Sequence, residues 1–83
     1  MHSDASFGPW LKQRRKALDM TQADLARQVG CAVITIRKIE SGVLRPSLQI
    51  ARRMAVSLEL APEDRATFVQ VARGEMLLDE LAL

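Results

Sequence analysis

Helix punctuation cuts this chain into short segments, and that limits its fold more than any other feature. Start or stop residues stand at Pro9, Thr21, Gly30, Gly42, Pro46-Ser47, Pro62 and Gly74, spaced mostly at roughly ten to fifteen residues. No segment between them reaches the ~20 apolar residues that cross a bilayer. The opening Met-His-Ser-Asp-Ala-Ser lacks a basic-then-apolar leader pattern, which predicts a cytoplasmic protein. With 83 residues, 48% apolar but only 4% aromatic, the chain predicts one small domain with an aliphatic core. The fold class expected is all-α, a compact five-helix bundle.

The segments read as helices in turn. The first is expected over Phe7–Leu18, capped by Ser6 with Pro9 in its first turn, and Asp19 is expected in a left-handed turn after it. The second covers Gln22–Val29, with Thr21 as N-cap, Asp24 near the positive end and Gly30 as the stop. A fourth runs Leu48–Leu58 behind Pro46 and the cap Ser47. A fifth starts at Pro62 with Glu63 and Asp64 in its first turn and stops at Gly74. Between them lies Val33-Ile34-Thr35-Ile36, a β-branched run whose local propensity favours strand. Helix over about Ala32–Ser41 is assigned against that propensity. Ile36 and Ile39 share a helical face, and Gly42 follows as a stop.

The assignment rests on the unit Gln22–Ser41. Two helices crossing steeply at a short turn need a small residue at the crossing, a left-handed turn residue, and a second helix with a buried face. Ala26, Gly30 and the pair Ile36 and Ile39 supply these in order. The unit is a helix-turn-helix, and the remaining helices cover its core.

Thr21-Gln22-Ala23-Asp24-Leu25-Ala26, Val29-Gly30, Thr35-Ile36-Arg37-Lys38-Ile39-Glu40-Ser41-Gly42 and Arg45-Pro46-Ser47 together resemble the DNA-binding domain of the Cro/phage-repressor (XRE-type) family. The opening Phe7-Gly8-Pro9-Trp10-Leu11-Lys12-Gln13-Arg14-Arg15 resembles domains that head larger bacterial regulators. The resemblance implies a transcriptional regulator binding double-stranded DNA, with its recognition helix, about 32–41, in the major groove. It implies base-facing positions at Ala32, Val33, Ile34, Thr35 and Lys38, and phosphate contacts at Gln22, Arg37, Val43 and Arg45. It also implies a structural ion pair between Arg15 and Glu40. Ala32 departs from the Ser or Thr that often caps this helix. Val33 and Ile34 replace polar base readers, and can pack only on thymine methyls. Their alternative is a core position on a rotated helix. Cys31 stands where the family usually has Val and reads as a small buried hydrophobe.

Charge agrees with a polyanion partner. Residues 1–53 hold ten basic side chains and four acids, a net +6; residues 54–83 hold two and six, a net −4. Lys12, Arg14, Lys16, Arg52 and Arg53 read as solubilising. The domain plan is a flexible end (1–6), the helix-turn-helix domain (7–73) and an acidic leucine-rich tail (74–83). Pairing of two copies is expected through the fifth helix and the tail, where Leu77 and Leu81 stand at i, i+4. The alternative function is a protein-interaction module on the same fold, antitoxin-like or a scaffold. An enzyme is not expected. The single His is at position 2, the four glycines are scattered, and one Cys permits neither a disulfide nor a Cys-rich metal site. No cofactor or metal is called for.

Overall fold

The computed structural model describes residues 3–78. His2 and the tail residues Asp79 to Leu83 lie outside the described residues. Five helices follow one another: α1 (Ser3–Ala17), α2 (Gln22–Val29), α3 (Val33–Glu40), α4 (Leu48–Ser57) and α5 (Pro62–Ala72), with no strand among the described residues. α2 packs on α3 and α4, α1 on α3, and α4 on α5.

Local chemistry accounts for most of the boundaries. The Thr21 hydroxyl accepts from Asp24 N–H (3.0 Å), and the Asp24 carboxylate accepts from Thr21 N–H (2.9 Å). This reciprocal box satisfies two donors at the start of α2. Gly30 closes α2 at φ 77°, with its N–H on the Ala26 carbonyl at 2.9 Å. Ser47 caps α4 by accepting from Ile50 N–H at 3.2 Å. Pro62 opens α5. Ala32 precedes α3 without any side-chain cap, as its side chain dictates.

The β-branched run is helical because burial outweighs propensity. Ile36 and Ile39 are buried in one core cluster with Leu11, Leu25, Val29, Met54, Leu58 and Phe68, and each large side chain so buried contributes about 1.5–3 kcal/mol. Strand propensity spans only about 1 kcal/mol. Phe7, Trp10 and Phe68 form an aromatic cluster with ring centroids 5.7–6.0 Å apart, bracing α1 against α5.

Two boundaries differ from expectation. α1 begins at Ser3 rather than Phe7, so Ser6 lies within the helix and is not its cap, and Pro9 sits inside it. Proline removes one i→i−4 bond and leaves its φ helical; here the loss falls close to the helix start, where few bonds depend on it. The second difference is Glu59, which adopts φ 60° beside the expected Asp19 at φ 57°. Leu58 and Leu60 are both buried on either side of it, and Leu60 N–H bonds the Ala55 carbonyl at 3.2 Å. Those anchors force the left-handed turn on a residue that does not favour it.

Candidate nucleic-acid interface

The helix-turn-helix stands as α2, a turn at Gly30-Cys31-Ala32, and α3. Ala26 is buried at the crossing, and both Gly30 and Cys31 donate to its carbonyl, at 2.9 and 3.0 Å. Cys31 is half-buried against the core. Burial pushes its thiol pKa up, so it stays protonated and inert at neutral pH.

Burying Ile36 and Ile39 turns the opposite side of α3 to solvent. Val33 and Ile34 are 36% and 47% exposed, which removes the alternative of core positions on a rotated helix. Ala32, Arg37 and Lys38 are exposed and Thr35 is half-buried. The side chains of Arg37 and Lys38 make no hydrogen bond or ion pair among the described residues. The face is therefore apolar at its start and cationic toward its end.

A buried charge cluster fixes the angle of that face. Arg15 Nε donates to Glu40 Oε2 at 2.6 Å, Nη2 to Oε1 at 3.1 Å, and Nη1 to the Met20 carbonyl at 2.8 Å. Gln22 Nε2 donates to Glu40 Oε1 at 3.0 Å. The side chains of Arg15 and Glu40 are only 7% and 5% exposed. Such a pair stabilises when its remaining donors and acceptors are bonded, and no buried side-chain polar atom among the described residues lacks a partner. One carboxylate thus ties the end of α3 to α1 and to the start of α2. Gln22 keeps one amide hydrogen for another acceptor. The N–H groups of Gln22 and Ala23 have no partner among the described residues, so the start of α2 presents open donors beside it.

The two later phosphate candidates look different. Val43 offers no spare donor: its N–H already bonds the Lys38 carbonyl at 3.0 Å, as does that of Leu44 at 3.2 Å. A hydrogen bond from Val43 to phosphate is therefore not available, because valine has no side-chain donor either. Arg45 is exposed, and its guanidinium lies over Gly74, where any Cβ would collide with it.

Three features were not read from the sequence. Gly8 lets α1 touch the end of α3; a Cβ there would overlap the Glu40 carbonyl oxygen and lie 2.8 Å from its carbon. A glycine inside a helix beside the apolar Phe7 and Leu11 is the signal that points to such a contact. Lys12 and Lys16 line a shallow groove with Arg15, Asp19, Met20, Thr21 and Gln22, next to the open end of α2. Arg14 and Arg53 are structural. Arg14 donates to the Leu58 and Glu59 carbonyls (3.1 and 3.4 Å), and Arg53 to the Val29 carbonyl (3.2 Å), which satisfies the open ends of α4 and α2. Among the described residues no group of His, Cys, Asp and Glu could hold a metal ion, and no helix is long and apolar enough to cross a membrane.

The crossing, the turn and the outward second helix define a helix-turn-helix domain. A helix-turn-helix family model (HTH_3) matches residues 11–64, and the chain belongs to that family, the XRE type. It is 34% identical over 80 residues to an uncharacterized transcriptional regulator in the ATPase CF(0) region of Rhodospirillum rubrum, covering 96% of this chain and 72% of that protein. It is 42% identical over 48 residues to an uncharacterized HTH-type transcriptional regulator of Methanothermobacter thermautotrophicus, covering 58% of this chain and 70% of that one. No solved structure matches.

Proposed function

We propose that this protein is a cytoplasmic transcriptional regulator that binds double-stranded DNA with α3 in the major groove. The observation that carries the reading is the outward face of α3, held at a fixed angle by the Arg15–Glu40–Gln22 cluster. Ala32, Val33, Ile34, Thr35 and Lys38 face base edges. Val33 and Ile34 pack on thymine methyls, and Lys38 donates to guanine O6 or N7. Gln22, the open N–H groups beside it and Arg37 bind phosphates, and Arg45 joins them by swinging off Gly74. Lys12 and Lys16 extend the phosphate track along α1. Two copies read two half-sites about one helical turn apart.

The test is selection from a randomised duplex pool, repeated at several salt concentrations and with an Arg37→Ala/Lys38→Ala variant. The expected result is an enriched two-fold motif containing T steps, with affinity falling steeply with salt. The variant loses the motif, and its log–log salt slope is shallower by about one, for the phosphate contact of Arg37. No enriched motif, with weak binding indifferent to the variant, overturns the reading. The exposed group Val33, Ile34, Val43 and Leu44 would then serve a protein partner.

A further inference from the structure

The outward faces of α4 and α5 enclose an open groove of about 490 Å³. Its walls include Leu48, Val56, Ala66 and Val69, and Arg52 and Arg65 flank it. Leu48 and Val56 are 42% and 57% exposed, a large apolar area for helix positions outside any DNA face. The Arg52 side chain makes no hydrogen bond or ion pair among the described residues, and Arg65 spends its Nε on the Leu60 carbonyl (3.2 Å), leaving its outer donors. Apolar walls with two cations select a short acidic segment bearing large aliphatic side chains.

The chain carries such a segment in Asp79-Glu80-Leu81-Ala82-Leu83. We propose that the α4–α5 groove takes this segment from a second copy, reciprocally, so that each tail fills its partner's groove. This gives the pairing proposed above a definite surface, but it does not depend on DNA. A second copy is favoured over the chain's own tail by the path after α5. Gly74, at φ 77°, turns the chain under the Arg45 side chain, and Leu78 packs against its own core. The groove opens on the other side of α5, away from the core-facing Phe68, Val71 and Ala72. Five residues reach up to roughly 17 Å when extended, and Leu48 to Val56 along α4 spans about 12 Å, so the segment is long enough to run the groove. The reciprocal exchange closes as a two-fold dimer.

The test is sedimentation equilibrium of the 83-residue chain from micromolar to millimolar concentration, without DNA. The wild type is expected to dimerise. Leu81→Asp/Leu83→Asp and Ala66→Glu, one at each side of the contact, should each weaken dimerisation tenfold or more. Arg52→Glu and Glu80→Lys should each do the same alone, by placing like charges together. Mixing those two variants should restore wild-type affinity in the heterodimer, because one groove then holds the original charge pair and the other its reversal; damage to the fold cannot produce that rescue. A wild type that stays monomeric, a dimer indifferent to the tail substitutions, or a mixture that fails to rescue overturns the proposal. Binding of each variant to a half-site duplex uses the proposed DNA face of one copy and none of the substituted positions, so loss of pairing and loss of DNA reading are separately visible.

Discussion

Glycine in the interior of a helix normally weakens it, and Gly→Ala there adds about 1 kcal/mol of stability. Gly8→Ala is predicted to do the opposite. The new Cβ would overlap the Glu40 carbonyl oxygen, and would sit 2.8 Å from the Glu40 carbonyl carbon and 3.2 Å from the Ile39 oxygen. All three atoms are backbone, so no side chain can swing aside; α1 and the end of α3 must separate. Overpacking of a fitted contact costs about 1–3 kcal/mol, occasionally more, and the separation also stretches the 2.6 Å bond between Arg15 and Glu40. The upper part of the overpacking range, about 2–3 kcal/mol, applies because the obstruction is backbone, and subtracting the helix gain leaves a net loss of about 1–2 kcal/mol. For a domain of this size that lowers Tm by roughly 4–16 °C. Thermal and urea unfolding measure it, with Ala17→Gly at the exposed end of α1 as a propensity control. A Tm that is unchanged or raised in Gly8→Ala would refute the close contact and the argument built on it.

Ala32→Ser supplies the cap that α3 lacks, and should stabilise by about 1 kcal/mol in urea unfolding; no gain would mean the hydroxyl does not reach the Thr35 or Ile34 N–H. Glu40→Ala strands the buried Arg15 guanidinium and should cost about 3–5 kcal/mol, whereas Glu40→Gln should cost less; equal losses below about 1 kcal/mol would show the pair to be solvated in practice. Asp24 has its carboxyl pKa held below the usual range by the Thr21 N–H, the Thr21 hydroxyl and Arg27. Its contribution is present above the unfolded value of about 3.9 and is lost as pH falls through the lower folded value. Asp24→Asn should therefore flatten the acid limb of a Tm-against-pH curve, and an unchanged limb would remove Asp24 from the acid response.

What was legible in the sequence is the chemistry that acts within one turn of the chain. Thr21, Gly30, Ser47 and Pro62 each satisfy or omit a backbone group a few residues away, so their roles follow from residue type. Helix α3 was legible only through its context. Its β-branched start favours strand, and the burial of Ile36 and Ile39 that reverses this depends on α1, α2 and α4. The unread features share that dependence. Gly8 matters because Glu40, 32 positions later, ends α3 beside it. Glu59 is left-handed because Leu58 and Leu60 are anchored in a core built mostly by other segments. α1 starts upstream of the first turn that Pro9 signals, because one lost bond does not end a helix.

The sequence proposes the site as a set of positions, and the structure changes how much of the net charge behind it is open. The +6 of residues 1–53 counts every arginine as available to a polyanion. Arginine is a poor residue to count that way, because its five donors fit carbonyls at helix ends as well as phosphates. In this fold Arg14, Arg15 and Arg53 donate to carbonyls that close helices or turns, and Arg27 pairs with Asp24 at 2.6 Å. Those cations cannot turn to DNA without unmaking the domain, or in the case of Arg27 without releasing the Asp24 that caps α2. Near the α2–α3 face the open positive charge is carried by Lys12, Lys16, Arg37 and Lys38. Three of the four are lysines, whose single compact charge has no planar fork to spend on a carbonyl. On the reading proposed above, the salt dependence of DNA binding is expected to report this smaller set together with Arg45, and to be shallower than the sequence charge implies. With a correspondingly smaller phosphate contribution, the proposed reading predicts that discrimination among duplexes rests more heavily on how Val33 and Ile34 fit thymine methyls, so Val33→Ala/Ile34→Ala should flatten the selected motif more than it lowers the salt slope.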